Sequence, residues 1–143
     1  MRTVRTSATF EARPEEIWEV VGDLSRWGEW LVIHKSWKSG VPAEIVSGTT
    51  ATAAASVMNM PVTIEWTFEN VDAPRMITMG GITRAGVKLA LAISLREQAR
   101  TTEVDVTASI DGGMINGPMG GVFKNSIVGA LDRSLKKVQS LVA

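Results

Sequence analysis

The sequence predicts an α+β fold: a curved antiparallel sheet of six to seven strands, two short helices after the first strand, and one long C-terminal helix. Three observations carry that prediction. Within Pro118 to Ala143, the residues Met119, Val122, Phe123, Ile127, Leu131, Leu135, Val138 and Leu141 recur at spacings of three and four, which describes one helical face. Most of the chain before them alternates apolar with polar residues, as half-buried strands do. Turn residues separate the alternating runs, and only one early segment breaks the pattern with helical spacing.

The first strand covers residues 3–12, with Val4, Thr6, Ala8 and Phe10 on one face and Thr3, Arg5, Ser7, Thr9 and Glu11 on the other. Pro14-Glu15-Glu16 opens a helix, since proline suits its first position and acids complement its dipole. Ile17, Trp18, Val20, Val21 and Leu24 form its apolar side, and Gly22-Asp23 ends it. A second short helix runs from Leu24 to Trp30 with Ser25 near its cap. Residues 33–39 form a short strand.

Residues 49–58 and 61–71 then read as a hairpin about Asn59-Met60. That turn places Ala51, Ala53, Ala55 and Val57 opposite Phe68, Trp66, Ile64 and Val62. Small residues facing large ones suit either a surface shaped for a bulky guest or ordinary core packing. Residues 75–81, 87–97 and 102–111 complete the meander, with Leu89, Leu91, Ile93 and Leu95 alternating against polar neighbours, and Val104, Val106, Ala108 and Ile110 likewise.

Composition narrows the chemistry. Fifteen basic and fifteen acidic residues leave no net charge, whereas nucleic-acid binders carry a basic surplus; no nucleic-acid partner is expected. With no cysteine, disulfides and thiolate chemistry are excluded. His34 is the single histidine and the aspartates are scattered, so neither a metal nor another cofactor is expected. No tyrosine is present to act as a phenolic acid. Glu65 and Glu69, and likewise Glu103 and Asp105, alternate with apolar neighbours and are expected to face solvent. The glycines between Gly112 and Gly121 lack the Lys-Ser/Thr of a phosphate-binding loop and are read as steric relief before the helix. No apolar run reaches signal-peptide or membrane-spanning length, so a cytoplasmic protein without stable membrane insertion is expected.

This order of elements resembles the helix-grip fold of the START-like or Bet v 1-like superfamily (SRPBCC), including its polyketide cyclase/dehydrase group. The resemblance spans the chain as a single domain, 1–143. It rests on the opening strand followed by ARPEEIWEVVGDLSRWGEW (12–30), the Gly48-Thr49 strand start and the GxxGG entry to the final helix. WLVIHKSWKS (30–39), NMPVTIEW (59–66) and AGVKL (85–89) look similar to an actinobacterial branch, some of whose members are described as the toxin of a toxin–antitoxin pair.

The resemblance implies a cavity between the sheet and the C-terminal helix that holds a lipid or other hydrophobic small molecule. Its expected lining is Trp30, Trp66, Met79, Leu91, Ile93, Val106, Met119, Phe123 and Ile127, with His34 as a polar-rim candidate and no catalytic residue assigned. His34 is read as a surface or edge residue, with rim hydrogen-bonding and base catalysis as the alternatives. Several methionines at hairpin ends and at the helix entry suit a loosely specified apolar guest, or simply fill gaps. Because one fold hosts many functions, three readings stay open: a non-enzymatic ligand binder, a polyketide aromatase, cyclase or hydrolase, and a toxin-like regulatory protein with a protein partner.

Overall fold

Alternation becomes seven strands: β1 (Arg2–Phe10), β2 (His34–Trp37), β3 (Thr50–Val57), β4 (Met60–Asp72), β5 (Met76–Thr83), β6 (Lys88–Glu97) and β7 (Thr102–Asp111). The computed structural model describes residues 2–41, 45–57, 60–112, 117 and 120–142, the side chains of Arg2 and Phe123 excepted. The strands form one antiparallel sheet in the order β1-β7-β6-β5-β4-β3-β2. Consecutive strands from β2 to β7 are neighbours, and β1 joins at the far edge beside β7.

Helix α1 (Pro14–Val21), a 3₁₀ turn (Leu24–Arg26) and helix α2 (Trp27–Trp30) connect the two edge strands. The Glu16 carboxylate accepts from the Arg13 backbone N–H and guanidinium, closing the start of α1. Asp23, rather than Ser25, caps the following turn, because its carboxylate accepts the Ser25 N–H at 3.0 Å. The long helix α3 covers Gly120–Val142, about 35 Å at about 1.5 Å per residue.

Two sequence expectations need correction. In the β3–β4 hairpin Ala51 pairs with Trp66, Ala53 with Ile64, Ala55 with Val62 and Val57 with Met60, two positions away from the expected register. An even shift preserves the faces, so the small-against-large arrangement survives with different partners. Asn59, half of the expected turn, lies outside the described residues. On α3, Ile127, Leu131, Leu135 and Val138 are buried as expected, but Val122 and Leu141 are 52% and 38% exposed. Among the described residues the buried stripe is Ile127, Ala130, Leu131, Ser134, Leu135 and Val138, with Val122 and Leu141 outside it.

Candidate functional site

The position of α3 decides where space is left. It comes closest to β1, α1 and α2. Asp132 on α3 hydrogen-bonds the Thr6 hydroxyl, and Gln139 donates to the Thr9 carbonyl at 3.1 Å. Ser134 accepts the Val32 N–H at 3.0 Å while donating to the Ala130 carbonyl at 2.8 Å. These three ties all lie C-terminal to Ile127.

Beyond Ile127, toward the β3–β4 and β5–β6 hairpins, the two layers separate around a cavity of about 230 Å³. Its walls are Ile33, Val57, Met60, Val62, Ile64, Thr83, Ala85, Val87, Leu89, Ile110 and Ile127, and they present a wholly apolar surface. Even the Thr83 hydroxyl is engaged elsewhere, accepting the Val87 N–H at 3.1 Å. A smaller void of about 50 Å³ adjoins it through Ile33, Leu89, Ile110 and Ile127, and reaches Trp66, Leu91 and Leu131. The larger space opens to solvent beside the exposed Met60 and Ala85; apolar spaces of such dimensions accept apolar guests, and one of about 150 Å³ holds benzene.

Trp66 sets the floor of the smaller void. Its neighbours across the sheet are Ala51 on β3 and Gly81 on β5, so neither side obstructs the indole. A methyl group at position 81 would stand 2.8 Å from both Trp66 Cε3 and Ile64 Cγ2. Glycine is therefore required there by close approach, and both flanking residues are nearly solvent-free.

Behind this floor lies an aromatic cluster centred on Trp27, which is fully buried. Trp30, His34, Trp37, Trp66 and Phe68 surround it with ring centroids 5.2–6.4 Å away, mostly edge-to-face, the favoured arrangement of aromatic quadrupoles. Trp27 donates to the Val21 carbonyl at 3.2 Å and Trp37 to the Leu24 carbonyl at 2.7 Å. The buried Trp30 Nε1 has no hydrogen-bond partner among the described residues.

His34 is 7% exposed, which overturns its reading as a surface residue. It begins an edge strand, but its ring packs 4.6 Å from Trp37 and 6.0 Å from Trp27. Burial holds its pKa below the ordinary imidazole value. It lines neither apolar void.

Of the other expected lining residues, Ile127 faces both voids, and Trp66 and Leu91 face the smaller one. Trp30, Met79, Ile93 and Val106 are buried in the core and line neither of these two spaces. Met119 and the Phe123 side chain lie outside what the structure describes. The carboxylates fall as parity predicts: Glu65 and Glu69 are exposed, Glu103 pairs with Arg96 at 2.8 Å and Asp105 with Arg5 at 3.4 Å. Among the described residues no three His, Cys, Asp or Glu side chains converge as a metal site requires.

Wall residues missed by the sequence reading include Val62, Ile64, Leu89 and Ile110. Each shares strand parity with an expected residue, two or four positions away. Alternation marked the face; the distance of α3 from that face decided which part stays open.

The family model described as "Polyketide cyclase / dehydrase and lipid transport" matches residues 1–143. The chain belongs to this family. Two Mycobacterium tuberculosis relatives (strain ATCC 25618 / H37Rv) span nearly their whole length with it. The uncharacterized protein Rv1546 is 28% identical over 141 residues, 99% of each chain. The toxin Rv0910 is 30% identical over 130 residues, 91% of this chain and 90% of its own. The crystal structure of TTHA0849 from Thermus thermophilus shares the fold with a TM-score of 0.76 at 17% identity, covering 99% and 97% of the two chains. Family membership suggests hydrophobic ligand binding, and among the described residues no helix is long and apolar enough to cross a membrane.

Proposed function

We propose that this protein binds a small hydrophobic or amphipathic molecule, without acting on it, in the cavity between the β3–β7 surface and Ile127 of α3. One observation carries the reading: the described walls of the cavity present apolar atoms alone. General acid–base chemistry needs a titratable group within hydrogen-bond reach of the reacting atoms. Here the carboxylates face outward and His34 is enclosed by tryptophans, which favours binding over a cyclase or hydrolase mechanism.

Volume bounds the guest. Scaled from the benzene-sized cavity of about 150 Å³, a space of about 230 Å³ accepts roughly nine carbons, a bicyclic aromatic or a short alkyl chain. In this reading Ile64, Leu89, Ile110 and Ile127 grip the guest, with Trp66 and Leu91 behind them. The test is titration with a neutral naphthalene-type fluorophore, followed by thermal melts against a panel of small aromatics and short-chain lipids. Saturable emission changes and a raised melting temperature are expected; neither response from any compound refutes the reading.

A second reading rests on the kinship with the toxin Rv0910: a growth-arresting protein with a neutralising protein partner. Regulated expression in a mycobacterial host tests it. Growth arrest supports it, and unimpaired growth opposes it.

A further inference from the structure

The apolar cavity has a polar annex. Along the edge of the sheet, between β2–β3 and α3, runs a groove of about 310 Å³ that includes Lys35, Ser56, Ser126 and Arg133 in its lining. Ile33, Val57 and Ile127 wall both the groove and the apolar cavity, so the two spaces lie side by side across one partition. Among the described residues no acidic side chain lines the groove.

Strand geometry places the first cation. On β2, His34 pairs with Ala55 and Ser36 with Ala54, so Lys35 is the extra residue of a β-bulge. Bulges re-aim a side chain that regular alternation would send elsewhere, and here Lys35 lines the groove. The second cation, Arg133, lies within the stretch of α3 pinned through Ser134 to the Val32 N–H. Its Nη1 lies 3.3 Å from the position that a Cβ on Gly129 would occupy, so the absence of a side chain there gives it room. Lys35 and Arg133 form no ion pair with the described residues, and the hydroxyls of Ser56 and Ser126 have no hydrogen-bond partner among them.

We infer that the groove is a head-group subsite, and that the ligand is an anionic amphiphile: one short alkyl or aryl tail bearing a carboxylate. The tail occupies the apolar cavity. The carboxylate crosses the Ile33–Val57–Ile127 partition and meets Lys35 and Arg133, with the two serine hydroxyls as further donors. Hydrogen bonds to ionised groups are short and strong, and the planar guanidinium matches a carboxylate in two-point geometry. This inference rests on the cavity reading above and adds the sign and chemistry of the head.

Octanoate, 1-octanol and octylamine test it, because they share a tail and differ in the head. Each is titrated against the protein loaded with the neutral fluorophore. Octanoate is expected to displace it at a concentration at least about ten-fold below octanol, with octylamine weakest. Salt near 0.5 M should erode the octanoate advantage, since the groove is open to solvent. The double variant K35Q/R133Q alters two exposed side chains; it should lose that advantage while octanol binding stays unchanged. Equal displacement by octanoate and octanol, or a double variant that keeps the preference, overturns the head-group assignment and leaves the cavity reading intact. Failure of the fluorophore and all three probes to bind overturns both.

Discussion

Gly81→Ala probes the shaped floor of the cavity with one methyl group. Its carbon would stand 2.8 Å from Trp66 Cε3 and Ile64 Cγ2, and 2.9 Å from Trp66 Cζ3, whereas carbon atoms rest about 3.5–4.0 Å apart. Something must move by roughly 1 Å. Ile64 is 1% exposed, and Trp66 packs edge-on against the fully buried Trp27. The space open to the indole is the void of about 50 Å³ that it borders. Overpacking of this kind costs about 1–3 kcal/mol, offset by up to about 1 kcal/mol from removing a glycine within a strand. For a domain near this size each kcal/mol is about 2–4 °C, so the melting temperature should fall by several degrees. Tryptophan emission should change as the ring shifts, and fluorophore binding should weaken as the void closes. A G81A protein that melts at or above the wild-type temperature, with undiminished binding, would refute the packing described for Trp66.

Three further substitutions follow from the same contacts. Ser134→Ala strips the Val32 N–H of its acceptor and should cost about 1–3 kcal/mol in denaturant unfolding, with weaker ligand binding as the Val32–Ile33 wall loosens; an unchanged midpoint contradicts this. Trp30→Phe removes an indole N–H that is buried without a partner among the described residues, whereas Trp27→Phe also breaks the bond to the Val21 carbonyl. W30F should therefore be milder than W27F by about 1 kcal/mol, and the reverse order contradicts it. His34 has a folded pKa below its ordinary 6.5 because burial disfavours the imidazolium, so the unfolded chain takes up the proton first. Its stability contribution is constant above about pH 7, falls as pH drops below 6.5, and levels off below the folded pKa. His34→Phe should abolish that component of the slope, as read from unfolding free energies between about pH 7 and pH 5; identical slopes contradict it.

The succession of strands and their faces were legible because alternation reports which side of a sheet a residue occupies, whereas the pairing of β1 with β7 was not. Trp66 and Leu91 were placed on the inner face by that alternation, and Ile127 by the three-and-four spacing of the helix. The position of the void was not legible, because it depends on how closely α3 approaches. Along its C-terminal half the helix is tied down by the hydrogen bonds of Asp132, Ser134 and Gln139. None of these has a periodic signature. Ile93 and Val106 are buried in the core, and the opening lies nearer Ile64 and Leu89. His34 escaped the parity argument because the bulge at Lys35 breaks alternation within a four-residue strand. Methyl-sized gaps such as Gly81 beside Trp66 become meaningful only once register is known.

Calorimetric titration with a series of straight-chain alcohols tests the apolar cavity most directly. Affinity should strengthen by about 0.8 kcal/mol for each added methylene, then level off near nine carbons, about the capacity of 230 Å³. Absence of saturable binding at every chain length, or affinity that climbs without a break to much longer chains, would contradict it.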